Sequence, residues 1–86
     1  MGSYRLEFKK SAEKDLSRLP LKQFERLSAA IDELRHQPLP VGCRKIVGSE
    51  GQYRIRVGDY RVLYEIREAV LTVFVIKIGH RKDIYR

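Results

Sequence analysis

Apolar and polar side chains alternate at the start of the chain, with Tyr4, Leu6 and Phe8 on one side and Arg5 and Glu7 on the other. A period of two predicts a strand over residues 3–8. The period then lengthens. Ala12, Leu16 and Leu19 follow Ser11, a good capping residue, and predict a short helix. Pro20 ends that helix and opens a second at its first turn. In the second helix Phe24, Leu27, Ile31 and Leu34 recur every three or four residues as one apolar stripe. Pro38 and Pro40 stop it, and the two helices form an αα-hairpin.

From Val41 the pattern changes again. Residues 41–51 hold three glycines and read as a loop, with a short extended piece around 45–47. Residues 52–57, 60–67 and 70–78 read as strands. Gly58-Asp59 is a favoured two-residue hairpin turn, and Glu68-Ala69 is a poorer one. Gly79 breaks the last strand, and a basic tail follows. The order β-α-α-β-β-β predicts an α+β domain, with the helical hairpin packed on one face of a small, largely antiparallel sheet. With no repeat or linker, residues 1–86 form one domain.

The Gly58-Asp59 turn sets a register. Val57 faces Tyr60, Arg56 faces Arg61, Ile55 faces Val62, Arg54 faces Leu63 and Tyr53 faces Tyr64. Side chains alternate between faces. Tyr53, Ile55, Val57, Val62, Tyr64 and Ile66 therefore share an apolar face beneath the helices, while Arg54, Arg56 and Arg61 share the other. Like charges directly across a strand pair are unfavourable. Such a group is either a solvated face with ion pairs to the helices or tail, or a site for an anion such as phosphate, which suits the planar guanidinium fork. With a tight second turn, Arg61 would face Ile76, Leu63 would face Phe74 and Glu65 would face Thr72. Leu63, Phe74, Ile76 and Ile78 would then form an apolar patch beside the arginines, to be covered by the tail, other parts of the chain, a partner or stacked bases.

Charge sharpens this picture. Residues 1–40 carry 8 basic and 6 acidic side chains, a net of 8 − 6 = +2, and residues 41–86 carry 10 and 5, a net of 10 − 5 = +5. The second half is the anion-facing part. The longest apolar stretch, residues 70–76, is far short of the ~20 residues a membrane span needs. Cys43 is the single cysteine, which excludes an intrachain disulfide and a Cys-rich zinc site. It reads as a small apolar residue. The absence of a secretory h-region after the N-terminus points to a reducing, cytoplasmic setting. His36 and His80 lack metal-ligand spacing, and there is no Ser/His/Asp set, paired carboxylate site or phosphate-cradling glycine loop. The tail brings His80, Arg81, Lys82 and Tyr85 near the end of the last strand. The bland readings are a surface imidazole for His80 and a packing residue for Tyr85.

Three segments carry a resemblance to a known family: residues 8–16, Phe-Lys-Lys-Ser-Ala-Glu-Lys-Asp-Leu; residues 53–64, Tyr-Arg-Ile-Arg-Val-Gly-Asp-Tyr-Arg-Val-Leu-Tyr; and Gly79-His80-Arg81 through Ile84-Tyr85. Together they resemble the RelE/ParE toxin superfamily over essentially the whole chain, and its RelE-like branch in particular. The resemblance implies a type II toxin–antitoxin mRNA interferase: a metal-independent endoribonuclease, without cofactor, that cuts messenger RNA in the ribosomal A site and is held inactive by a cognate RelB-like antitoxin. The implied catalytic residues are Arg54, Arg56, Arg61, Arg81 and Tyr85. Arg54, Arg56, His80 and Lys82 would contact substrate. Where the best-characterised branch has lysines, Arg54 and Arg56 stand here. Arginine holds charge but does not shuttle protons. That shifts the proton-accepting role to Tyr85 or to His80, whose ordinary pKa near 6.5 suits proton transfer. Two other readings fit the same family or charge: a ParE-like inhibitor of DNA gyrase without nuclease activity, and a non-catalytic RNA- or ribosome-binding domain.

Overall fold

The N-terminal alternation forms a strand, β1 (Arg5–Phe8), shorter than expected by two residues. The structure, a computed structural model, describes residues 3–82. After β1 come α1 (Lys10–Ser17), α2 (Leu21–Glu33), β2 (Arg44–Lys45), β3 (Gln52–Val57), β4 (Tyr60–Arg67), a 3₁₀ turn (Glu68–Val70) and β5 (Thr72–His80). The strands form one sheet in the order β1-β5-β4-β3-β2. β1 runs parallel to β5, and the other pairs are antiparallel. The fold is α+β, with two helices on one face of a mixed five-stranded sheet.

Ser11 does not cap α1. The Lys9 N–H is still bonded to the Val75 carbonyl at the sheet edge, and the Lys9 carbonyl already accepts the Glu13 N–H. The chain thus turns from strand into helix before Ser11. Pro20 precedes α2 rather than lying in its first turn, and its carbonyl accepts the Phe24 N–H at 2.9 Å. The apolar stripe of α2 is buried at Leu27, Ile31 and Leu34, but Phe24 is 38% exposed. Phe24 sits in the first turn of α2, outside the stretch that meets the sheet. Beneath the helices, Ala12, Leu27, Ile31 and Leu34 pack on Ile55, Val62, Tyr64, Val73, Val75 and Ile78. Those ten side chains are the core, and burying each large one contributes roughly 1.5–3 kcal/mol.

The β3–β4 register agrees with the sequence at every expected pair, from Val57↔Tyr60 to Tyr53↔Tyr64. Gly58 takes φ +62°, which the two-residue turn requires. The β4–β5 register differs. Glu65 meets Phe74 rather than Thr72, and Arg61 meets Gly79 rather than Ile76. The connection is not a tight turn but a 3₁₀ turn closed by Leu71 in the left-handed region at φ +46°. A bulge between Leu63 and Tyr64 in the pairing then leaves Ile76 as the extra residue of β5. The bulge turns Lys77 to the outward face and Ile78 into the core, where it is 3% exposed. Gly79 continues β5 instead of breaking it. The expected outward patch is correspondingly smaller, and Phe74 lies under the Arg67 guanidinium, 4.4 Å from its ring centre.

Candidate active site

The β3–β4 turn creates the site. Alternation from Gly58-Asp59 puts Arg54, Arg56 and Arg61 on the face away from the helices, with Arg56 directly opposite Arg61. β2 adds a fourth guanidinium, since Arg44 pairs with Arg54 on the same face. Sequence reasoning missed Arg44 because a two-residue strand in a glycine-rich loop leaves no periodicity to read. Its only signal was the short extended piece expected around 45–47, one residue too late. Arg61 is 7% exposed, whereas Arg44 and Arg56 lie open to solvent. Glu65, on the same face farther along β4, pairs with Arg67 rather than with the cluster.

Past the end of β2, the outer edge of β3 faces the C-terminal half of α2 across a cleft of about 510 Å³. Arg44, Arg54, Arg56 and Arg61 line one side, and Ala30, Leu34, Ile55 and Val57 give it an apolar lining. Pro40, Val41 and Gly42 of the connecting loop also line it. The buried Tyr64 holds that loop in place, its hydroxyl donating to the Pro38 carbonyl at 2.6 Å. Burial pushes the Tyr64 phenol well above its ordinary value, and the nearby Cys43 thiol adds to the shift. Cys43 is half-buried against the core, in keeping with a packing role.

Of the tail residues, Arg81 is anchored beside the hairpin, its N–H donating to the Asp59 carbonyl at 2.8 Å. That bond ties the end of β5 to the turn carrying Arg56 and Arg61. His80 is placed elsewhere. It pairs with Tyr60 on the helix side of the sheet and meets the Tyr60 ring edge-on at 5.6 Å between centres. Its Nδ1 accepts the Lys82 N–H at 3.3 Å. The register therefore separates His80 from the arginine face, against the expectation that it would contact substrate or take a proton there. Lys82 is exposed just beyond Arg81. Tyr85 lies outside the described residues.

Among the described residues, Arg44, Arg54, Arg56 and Arg61 all line this one cleft. The family model for the ParE toxin of type II toxin–antitoxin systems matches residues 6–85. The chain belongs to the RelE/ParE toxin superfamily, in its RelE-like branch. This RelE-like toxin is 36% identical over 88 residues to toxin RelG of Mycobacterium tuberculosis, covering 96% of this chain and 97% of that one. Toxin RelE3 of Methanocaldococcus jannaschii is 34% identical over 82 residues, covering 91% of each chain. Among solved structures, the RelE–RelB complex of Pyrococcus horikoshii matches with a TM-score of 0.82 at 29% identity, over 94% of this chain and 98% of that one. The isolated Escherichia coli RelE toxin matches with a TM-score of 0.82 at 28% identity, over 96% and 92%. The chain is a type II toxin with the RelE fold, and no described helix is long and apolar enough to cross a membrane.

Proposed function

We propose that this toxin, a single domain over residues 1–86, is a ribosome-dependent endoribonuclease that cuts messenger RNA in the A site and so arrests translation. The observation that carries the reading is the gathering of Arg44, Arg54, Arg56 and Arg61 on one side of one cleft. The ribose 2′-oxygen attacks the adjacent phosphorus, and the bond from phosphorus to the 5′-oxygen breaks. The 2′ proton leaves to an acceptor, and the departing 5′-oxygen takes up a proton. The products are a 2′,3′-cyclic phosphate and a 5′-hydroxyl. Negative charge builds on the phosphate oxygens in the transition state. Arg61, sheltered from water, and Arg54 and Arg56 beside it are suited to hold that charge. Arg81, anchored to the same turn, would complete the cage, with Lys82 on the flanking phosphate. Arginines do not give up protons at neutral pH, so proton transfer falls to Tyr85.

An antitoxin of the RelB kind is the proposed protein partner, since the matched complexes pair RelE with RelB. The partly exposed Leu63 and Ile76 beside the arginines suit an apolar helix laid across that face. The decisive experiment is brief expression followed by mapping of new 5′ ends on cellular messages. Codon-phased cuts within translated regions, absent with Arg61→Ala, are the expected result. A gyrase-directed reading draws on the family model's ParE description. It predicts altered plasmid supercoiling with intact messages, and that outcome would replace the nuclease.

A further inference from the structure

The end of β5 is held by more than its ladder. His80 is the last residue of the strand, and its pairing with Tyr60 puts the imidazole on the helix side, away from the arginine face. There it meets the Tyr60 ring edge-on at 5.6 Å between centres, and Tyr60 itself packs against the core. From that seat Nδ1 accepts the Lys82 N–H at 3.3 Å. A ring nitrogen that accepts an N–H carries no proton, so the neutral ring keeps its proton on Nε2. The Arg81 N–H donates instead to the Asp59 carbonyl at 2.8 Å. Two successive amides are therefore tied to two different anchors, one in the β3–β4 turn and one in the imidazole. Both residues are otherwise exposed, and a chain that has left its sheet ordinarily frays.

Resting on the nuclease reading, we propose that His80 is a positioning residue for Arg81. The imidazole does not approach the substrate. Leaning on Tyr60, it bends the chain just past the sheet into a turn, and the turn delivers the Arg81 guanidinium to the face that carries Arg56 and Arg61. The Asp59 bond fixes where Arg81 begins but leaves the next peptide plane free to rotate. The bond from Lys82 to the ring removes that freedom. An arginine side chain loses much rotamer entropy when it grips an anion, and a backbone fixed beforehand leaves less to order at that moment. The ring acts through Nδ1, the nitrogen nearer the main chain, which is the geometry of a side chain capping the N–H two residues on. Nε2 has no part in the turn.

The test is single-turnover cleavage on programmed ribosomes, with ribosome concentration varied so that rate and affinity separate. His80→Ala should lower the rate about tenfold or more and move half-saturation by less than about twofold, as when a reacting group is displaced while substrate contacts persist. His80→Asn sets an amide oxygen where Nδ1 stood, accepts the Lys82 N–H and should recover most of the rate. His80→Gln sets its polar atoms where Nε2 stood and should stay as slow as the alanine variant. In an Arg81→Ala background His80→Ala should cost nothing further, because the two act through one guanidinium. Additive losses would overturn the positioning role, as would an asparagine variant no faster than the glutamine one, or an alanine variant as fast as the parent. Amide hydrogen exchange gives a readout without ribosomes, with thermal unfolding confirming that each variant folds. The Lys82 amide should be protected in the parent and in His80→Asn and unprotected in His80→Ala. That pattern in a toxin that makes no cuts sinks the nuclease and keeps the turn. Cuts that are indifferent to His80 spare the nuclease and sink the positioning role.

Discussion

β4 takes part in two hairpins. At its start, Gly58 and Asp59 reverse the chain in two residues, and every pair from Val57↔Tyr60 onward falls where alternation puts it. At its end, a 3₁₀ turn, a left-handed Leu71 and a bulge at Ile76 intervene before β5 settles into register. The first hairpin carries the arginines and is rigidly specified by local chemistry. The second reshapes the sheet, sending Lys77 outward and Ile78 inward. A turn whose geometry is fixed by its own residues transmits register faithfully. A connection whose geometry is set by packing does not.

Breaking the first hairpin's payload should have the largest effect. Arg61→Ala should lower the cleavage rate by about 10²–10³-fold, the usual loss when a preorganised donor to a developing anion is removed. Single-turnover cleavage on programmed ribosomes measures it, with circular dichroism confirming the fold. Tyr64→Phe comes next. It leaves the Pro38 carbonyl without its hydrogen bond and should destabilise by about 1–3 kcal/mol in urea unfolding. The same residue gives a pH signature. Its folded pKa lies above the ordinary 10.0, so its contribution is complete below pH 10.0 and is lost as pH rises beyond that value. Unfolding midpoints should fall above pH 10, and the fall should be smaller in Tyr64→Phe.

Gly58→Ala probes the tight turn itself. At φ +62° an added Cβ is strained, and it would also lie 2.9 Å from Nη1 of Arg26. The guanidinium end can swing aside, so backbone strain dominates, at about 1–2 kcal/mol. For a domain of this size that is a loss of several degrees in thermal midpoint. The smallest effect has the opposite sign. Leu71→Gly removes a left-handed non-glycine residue from the second connection, where its side chain is 53% exposed and little packing is lost. Stability should rise by up to about 1 kcal/mol, while activity stays unchanged. A gain in one connection and a loss in the other would sharpen the contrast between them.

Much of the molecule was legible because short-range rules decided it. The alternation of residues 52–67 and the Gly-Asp turn determined which face holds Ile55 and Val62 and which holds Arg54, Arg56 and Arg61. The stripe of α2 was legible at Leu27, Ile31 and Leu34. It failed at Phe24, where periodicity is satisfied but the sheet no longer lies beneath the helix. The parallel pairing of β1 with β5, Arg5 with Thr72 and Phe8 with Val75, joins segments 72 − 5 = 67 residues apart, and no local pattern records it. Arg44 was hidden for a related reason, since its strand exists only because β3 is there to pair with it. His80 was misplaced because Gly79 was expected to end β5, whereas the strand runs on through Gly79 to His80 and, past the bulge, pairs His80 with Tyr60 on the helix side.

The short reach of β2 has a consequence for solubility. β2 pairs with β3 at Tyr53 and Arg54, and β3 runs on to Val57 beyond it. An open strand margin of this kind invites a second copy of the same chain to zip alongside and begin an aggregate. Here the margin is flanked by Arg56 and Arg44, whose positive charges would meet their own likeness on an approaching copy. The same guanidiniums therefore oppose pairing of one toxin molecule with the next along this edge, and neutralising them should make the protein precipitate more readily.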